Sequence, residues 1–193
     1  MSTFGGKADI VACPSRESAN ESRDAFEQLL DTLSLNPNVT EINVLAHSMG
    51  CAVTLEALRL KAMHSGRIGD KIKNVLLVAP DVSVDDFRTD IAQLGHRRPR
   101  IALFVSQDDG ALKLSRTIAG GVQRVGDINP DQEPYRSEFA REGILAFDLS
   151  HLNGNAHSRA FEDITSVMGM IERRLAAGQQ LSGSGALSAD AAQ

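Results

Sequence analysis

The chain has 193 residues, of which 42% are hydrophobic and 23% are charged, and its formal net charge is −5. This length is enough for one substantial hydrophobic core, so we expect a single domain over residues 1–175. The acidic balance provides no basic surface for nucleic acid or for an anionic membrane, and we exclude both as partners. Residues 176–193 consist mostly of Ala, Gly, Ser and Gln and predict a disordered tail, because they cannot bury an apolar face.

The cysteines and the apolar segments indicate the compartment. Cys13 and Cys51 lie far apart in the sequence, and a reducing compartment is the simplest interpretation of two such cysteines. No apolar run approaches the ~18 residues of a membrane span, and residues 1–12 lack the basic start and the apolar stretch of a signal peptide. We therefore expect no membrane span and a cytoplasmic location for the chain as given.

Apolar runs that alternate with amphipathic segments predict the elements in chain order. A short strand is expected at residues 10–13, followed by a helix over residues 22–35 whose apolar residues recur every three or four positions. A strand at residues 39–47 leads into an apolar helix that ends in a turn at residues 66–69. Further strands are expected at residues 74–80, 100–106 and 143–148, and further helices at residues 85–95, 111–119 and 158–175.

This alternation predicts the fold class. About five strands alternating with helices form a mostly parallel sheet that is covered on both sides, a three-layer α/β/α architecture. Residues 120–141, rich in Gly, Pro, Asp and Arg, fit neither pattern and are interpreted as an insertion or a loop that faces the substrate. We interpret Asp81 as a cap of the helix that follows it, and Asp85 and Asp86 as the start of that helix.

The sequence AHSMG at positions 46–50 lies where the second strand runs into its helix. In the pattern Gly-x-Ser-x-Gly, a sharp turn places the serine in an uncommon backbone conformation, and small residues two positions to either side allow strand and helix to approach closely. Ala46 departs from the strict pattern by one methyl group, whereas Gly50 fits it. The segment predicts a nucleophile elbow with Ser48 at its apex, where the N–H groups of a helix start can hold a negatively charged oxygen.

Further polar residues follow the other predicted strands, at the sheet edge where ligands bind in parallel sheets. Asp108 and Asp109 follow one strand, and His151 and His157 come after the last one. A serine hydroxyl needs an imidazole to take its proton, and the imidazole needs a carboxylate to fix its tautomer and to stabilise its charged form. The chain order serine, aspartate, histidine therefore predicts a catalytic triad that begins at Ser48.

Other chemistry has little support in the sequence. The histidines and cysteines do not show the His-x-x-x-His or Cys-x-x-Cys spacing of metal ligands, and no glycine-rich nucleotide loop occurs, so we expect no metal and no other cofactor. His47 is interpreted as a packing or orienting residue, because the residue before an elbow serine points away from it.

Several motifs together resemble a bacterial family of α/β-hydrolases of unknown function that is described as esterase-like or lipase-like. They are VLAHSMG at positions 44–50, LVAPD at 77–81, FVSQDDGAL at 104–112 and AHS at 156–158. CPSR at positions 13–16 is similar to the Trp-Pro-Ser-Arg stretch of that family. The similarity covers roughly residues 10–175 and implies a serine hydrolase that acts on small-molecule carboxylic esters through an acyl-enzyme.

The resemblance also implies a role for each candidate residue. It makes Ser48 the nucleophile, Asp109 the acid and His157 the base. Asp108 remains open as the rival acid, because the loop alignment can slip by one residue, and His151 remains open as the rival base.

The N-terminal part of the family pattern is not matched. In the family, an earlier strand and a loop with a His-Gly-Tyr-Asn type motif supply half of the oxyanion hole, and the N–H of Met49 would supply the other half. Nothing comparable precedes residue 10, so we expect a truncated hydrolase fold. Either the first strand shifts to pair beside the elbow strand, or an open sheet edge there favours a homo-oligomer. The segment from Phe4 to Lys7 would provide backbone donors if it lay near Ser48.

Three explanations of this difference remain open. The chain is a fragment of a longer reading frame, which we favour, or a degenerate hydrolase kept as a binding or scaffold module, or a minimal hydrolase whose donors come from elsewhere. Losing one oxyanion donor typically lowers the rate by about 10² to 10³-fold, so a complete triad alone does not make an efficient enzyme.

Overall fold

The structure, a computed structural model, describes residues 2–4, 7–12 and 19–150, with side chains from residue 22 onward. Within these residues, six strands form one sheet in chain order: β1 (Ser2–Phe4), β2 (Lys7–Ala12), β3 (Glu41–His47), β4 (Ile72–Val78), β5 (Arg100–Val105) and β6 (Leu145–Asp148). β1 runs antiparallel to β2, and all later neighbours are parallel. The predicted α/β class with a mostly parallel sheet is confirmed.

Helices follow the parallel strands, as the predicted alternation requires. They are α1 (Ala19–Leu35), α2 (Gly50–Ser65), α3 (Val84–Leu94), α4 (Gly110–Ile118) and α5 (Tyr135–Glu142). Local sequence sets their ends: Ser83 caps α3 by accepting the N–H of Asp86 at 3.0 Å, and α2 stops at Gly66, which takes a φ of 67°. No helix in the described part of the chain is both long and apolar enough to cross a membrane.

The two faces of the sheet carry separate apolar clusters, because successive strand residues point to opposite sides. On one face, Val75 and Leu77 of β4 join the buried residues of α1, α2 and α3. On the other face, Leu76 and Val78 join residues of β5, together with Leu112 of α4. The central strands β4 and β5 are thus apolar without interruption from Val75 to Val78 and from Ile101 to Val105, which explains why continuous apolar runs predict them well.

The elbow strand β3 is not an edge strand of the sheet, because β2 pairs with it. β2 pairs in parallel with β3 along its whole length, from Lys7 beside Glu41 to Ala12 beside Ala46. Of the two alternatives for this edge, the shifted first strand is the one observed, and the open edge beside β3 is not. The antiparallel strand β1 was not expected, because three residues are too short to show a pattern.

Residues 120–141 differ from the expected irregular loop. They contain a short 3₁₀ helix, Val125–Asp127, and most of α5, whose half-buried Tyr135 and buried Phe139 are one helical turn apart. Residues 123–126 run antiparallel to residues 80–84, which follow β4, and backbone hydrogen bonds join the two segments. The helix expected over residues 158–175, the tail at residues 176–193 and Cys13 lie outside the described residues.

Charged side chains join neighbouring helices on the α1, α2 and α3 side of the sheet. α2 packs between α1 and α3. Its buried Lys61 donates to Asp31 of α1, and its Arg59 lies 3.5 Å from the carboxylate of Asp90 in α3. Burial raises the pKa of Asp90 to about 6, and the charge of Arg59 opposes this increase.

Candidate active site

Ser48 occupies the sharp turn between β3 and α2. Its φ is 54°, a left-handed value that non-glycine residues rarely adopt. Its backbone N–H donates to the carbonyl of Val78 at 3.0 Å, and its own carbonyl accepts the N–H groups of Cys51 at 3.1 Å and Asp81 at 3.2 Å. These hydrogen bonds fix the turn against β4 and give it the backbone geometry of a nucleophile elbow.

Met49 and Gly50 begin α2 directly after the serine. Met49 is the N-cap residue of α2 and has helical backbone angles, with φ −64° and ψ −23°. Among the described residues, no acceptor meets the backbone N–H of Met49. The positive end of the helix dipole and this N–H therefore lie beside Ser48, an arrangement that favours a negatively charged oxygen.

Phe4 and Lys7, the two described residues of the segment from Phe4 to Lys7, lie far from Ser48 in this fold. Phe4 pairs with Lys7, and Lys7 lies beside Glu41 at the first residue of β3, whereas Ser48 follows the last residue of that strand. Lys7 and Ser48 are thus at opposite ends of a seven-residue strand, so neither Phe4 nor Lys7 is near enough to provide a backbone donor at Ser48.

Asp109 and Asp108 have different environments in the turn after β5. Asp109 is fully buried and caps α4, because its Oδ1 accepts the N–H groups of Ala111 at 2.9 Å and Leu112 at 3.1 Å. Asp108 is exposed. The turn thus holds one of its two carboxylates in a fixed orientation at the same sheet edge as Ser48.

A second acidic residue lies near Asp109. Burial raises the pKa of Asp127 from its ordinary value, while the cations of Lys113 and Arg116 lower it and the charge of Asp109 raises it. The Arg116 guanidinium is 3.5 Å from the Asp127 carboxylate. This edge of the sheet therefore holds two carboxylates that repel each other and are balanced by cations of α4.

Asp81 does not cap the helix that follows it, in contrast to the expectation from the sequence. Ser83 caps α3. Both carboxylate oxygens of Asp81 instead accept from the hydroxyl of Ser115, at 2.8 and 2.9 Å, and Oδ1 lies 3.1 Å from Nε of Arg124. The partners of Asp81 come from α4 and from the segment after it.

Gly126 is a structural residue of this edge that sequence reasoning missed. A Cβ at this position would lie 2.5 Å from Cδ1 of Leu112 and 2.9 Å from backbone atoms of Ala79 and Pro80. Its N–H donates to the carbonyl of Pro80 at 3.0 Å, and its carbonyl accepts the N–H of Ser106 at 2.8 Å. Close backbone approach requires the glycine, and no pattern in the sequence marks it.

The last described residues lie next to the turn that carries Asp109. Ser150 Oγ accepts the backbone N–H of Gln107 at 2.9 Å, two residues before Asp109. His151 and His157, the two candidate bases, lie outside the described residues. The chain therefore leaves the described part of the sheet beside the acidic turn.

An apolar cavity of about 120 Å³ lies between α3 and α5. Phe87, Ile91 and Phe139 line it, and the charged side chains of Arg88 and Glu138 border it. Its lining includes neither the elbow nor the turn with Asp109, and it is smaller than ordinary small-molecule pockets of about 300 to 1,000 Å³. It lies between two helices and away from the candidate site.

The described part of the chain contains no cluster of His, Cys, Asp and Glu that could hold a metal ion.

No curated protein matches the chain. Residues 6–174 match a family that is described as alpha/beta hydrolase of unknown function (DUF900). This match includes the elbow at Ser48, the acidic turn at Asp109 and the five parallel strands, and the chain therefore belongs to this family of alpha/beta hydrolases.

Proposed function

We propose that the protein is a serine hydrolase that cleaves small-molecule carboxylic esters through an acyl-enzyme on Ser48. The observation that carries this proposal is the positive φ of Ser48 at a strand-to-helix turn. Such strain costs on the order of 1 to 3 kcal/mol and concentrates at functional sites, where it holds a side chain in a working position. Membership of an alpha/beta hydrolase family supports the same chemistry.

The proposed reaction has two steps. The imidazole of His157 takes the proton of Ser48 Oγ while Oγ attacks the carbonyl carbon of the ester. The carbonyl oxygen becomes an oxyanion that accepts the N–H of Met49, and the alcohol then leaves with the proton from His157. A water molecule, deprotonated by the same imidazole, attacks the acyl carbon, and the carboxylic acid departs as Ser48 regains its proton.

We assign the acid role to Asp109 because of its fixed and buried carboxylate. The two N–H bonds to Oδ1 orient the carboxylate, and low solvent exposure strengthens its attraction for an imidazolium. In the proposal, Oδ2 accepts the N–H of His157. The exposed Asp108 would be screened by water and would hold an imidazole less firmly.

A fluorophosphonate probe tests the nucleophile. We expect the wild-type protein to form a covalent adduct on Ser48, and Ser48→Ala to form none, because the probe reacts with an activated serine hydroxyl. Intact-mass measurement and peptide mapping identify the modified residue. Labelling that persists in Ser48→Ala would overturn the proposal. A folded protein that is not labelled and forms a stable oligomer would instead favour a binding module built on the hydrolase fold.

Paired substitutions test the acid and the base. Asp109→Asn should lower the labelling rate by roughly 10³ to 10⁴-fold, because the amide favours the wrong imidazole tautomer, whereas Asp108→Asn should react as the wild type does. His157→Ala should abolish turnover of a short p-nitrophenyl ester, and His151→Ala should retain it. The reverse order within either pair would move the role to the rival residue.

A further inference from the structure

Asp81 is a buried carboxylate next to the elbow that the proposed reaction does not use. Its side chain is 9% exposed, and that of its partner Arg124 is 14% exposed. The Ser115 hydroxyl donates to Asp81, with 2.8 and 2.9 Å to the two carboxylate oxygens. A buried carboxylate is costly unless charge and hydrogen bonds compensate it, and here the Ser115 hydroxyl supplies the hydrogen bond while Arg124 supplies the opposite charge. The contact with Arg124 is an ion pair only, because the angle at its Nε–H does not form a hydrogen bond to Asp81.

The contacts of Asp81 connect the segments that carry the candidate nucleophile and acid. Its backbone N–H donates to the carbonyl of Ser48 at 3.2 Å. Its carboxylate accepts from Ser115 in α4, the helix that Asp109 caps. One residue is thus bonded through its backbone to the elbow and through its side chain to the helix of the proposed acid.

Arg124, from a third segment of the chain, forms an ion pair with Asp81. The segment around Arg124 runs antiparallel to the residues that follow β4: the N–H of Val125 donates to the carbonyl of Val82 at 2.9 Å, and the N–H of Gly126 donates to the carbonyl of Pro80 at 3.0 Å. These bonds fix the backbone of Arg124, so its guanidinium meets Asp81 from a rigid support. A strained backbone such as that of Ser48 persists only when its surroundings hold it at several points.

We infer that Asp81 is a positioning residue that, with Ser115 and Arg124, holds the Ser48 carbonyl and the helix of Asp109 in fixed relation to each other. Its kinetic consequence rests on the proposed function of Ser48, whereas its effect on the backbone does not. A shift of about 1 Å between reacting groups can lower a rate by about 10²-fold, so a distant tie of this kind affects catalysis without touching the substrate.

The first measurement compares Asp81→Ala, Asp81→Asn and Ser115→Ala with the wild type. Asp81→Ala should lower the rate constant for fluorophosphonate labelling of Ser48 by roughly 10- to 100-fold. Asp81→Asn and Ser115→Ala should lower it by about three- to tenfold, because each keeps part of the hydrogen bonding. With a p-nitrophenyl ester, kcat should fall while KM and the pH midpoint of kcat/KM stay at their wild-type values.

The second measurement is independent of activity. The amides at Cys51 and at position 81 bond to the Ser48 carbonyl, and their protection from hydrogen exchange, corrected for the intrinsic rate of each residue, should be about tenfold lower in Asp81→Ala than in the wild type. If the wild type is not labelled at Ser48, the proposed function fails, and the exchange rates alone decide the role of Asp81.

Asp90→Asn is the matched control, because Asp90 is also a buried aspartate paired with an arginine but lies between α2 and α3. It should leave labelling and elbow exchange unchanged. Wild-type labelling together with wild-type exchange in Asp81→Ala would overturn the inference. A shifted pH midpoint with equal losses in Asp81→Asn and Asp81→Ala would also overturn it, because that result belongs to a residue that contacts the base.

Discussion

Two buried aspartate–arginine pairs show how differently the same residue types are used in two regions of the molecule. At the strand ends, Arg124 Nε lies 3.1 Å from Asp81, and the side chains are 14% and 9% exposed. Between α2 and α3, Arg59 Nε lies 3.5 Å from Asp90, and the side chains are 25% and 12% exposed. Asp81 also binds a hydroxyl and reaches Ser48 through its backbone. The Arg59–Asp90 ion pair joins two helices, whereas the Arg124–Asp81 ion pair is part of a network of hydrogen bonds.

This difference predicts different sensitivities. At the strand ends, the positive φ of both Ser48 and Ala79 and the close approach of Gly126 leave little room for adjustment, so small steric changes should have large effects. In the helix layer, charged groups form separate pairs between helices, so pH and single charges should matter more than shape. Substitutions in each region test this difference.

Gly126→Ala should have the largest effect on stability. The added methyl would lie 2.9 Å from backbone atoms of Ala79 and Pro80, which cannot move without distorting the end of β4. Overpacking of this kind costs about 2 to 3 kcal/mol. The free energy of unfolding from urea denaturation measures it.

Gly110→Ala is the matched control for this substitution. A Cβ at Gly110 would meet no atom of the described residues within 4 Å, and the residue begins α4. Alanine there should stabilise the protein by about 0.5 kcal/mol, because it restricts the unfolded chain and favours the helix. Equal effects of the two substitutions would mean that the strand ends adapt as easily as a helix start, and the contrast would be lost.

Asp90→Asn should change the pH dependence of stability. Burial raises the pKa of Asp90 to about 6 in the folded protein, above its value in the unfolded chain. The folded state therefore binds the Asp90 proton more tightly than the unfolded state does. The protonated carboxyl contributes fully to stability at low pH, and this contribution is lost as the pH rises through about 6. Since asparagine does not titrate, the variant should gain about 2 kcal/mol relative to the wild type between about pH 4.5 and pH 7.

Urea denaturation of both proteins across this pH range gives the difference directly. Arg59→Met provides the control, because the Arg59 charge opposes the increase in the pKa of Asp90. Its removal should steepen the loss of stability with rising pH. A difference between Asp90→Asn and wild type that does not change with pH would contradict the prediction.

The sequence predicts the parts of this protein that are local in the chain. Strands β4 and β5 end in uninterrupted apolar runs because both faces are buried there, and Ser48 is found because an elbow needs only a strand, a turn and a helix in succession. Assignment of the roles of Asp109 and His157 relied on family resemblance, and these roles remain predictions.

Relations between distant residues could not be predicted. The partners of Asp81 are 34 and 43 positions away, and helix capping, a local role, was the interpretation that the sequence favoured. Position 126 must be glycine because the backbone of Ala79 and Pro80, residues far from it in the chain, leaves no space for a side chain. The pairing of β2 with β3 was one of two alternatives that the sequence left open, because the pairing partner of a strand depends on segments that are distant in the chain.

The ion pair of Lys61 and Asp31 should give the smallest effects and the clearest asymmetry. The Lys61 side chain is 6% exposed and that of Asp31 is 44% exposed. Asp31→Asn should cost about 1 to 2 kcal/mol, because it leaves a buried ammonium without its counter-charge. Lys61→Met should cost less than about 1 kcal/mol, because a side chain of similar volume replaces the cation and Asp31 returns to water. Both should label like the wild type. Urea denaturation measures the free energy of unfolding of both variants. A larger loss in Lys61→Met than in Asp31→Asn would contradict the prediction, because it would mean that the buried charge of Lys61 itself stabilises the helix layer.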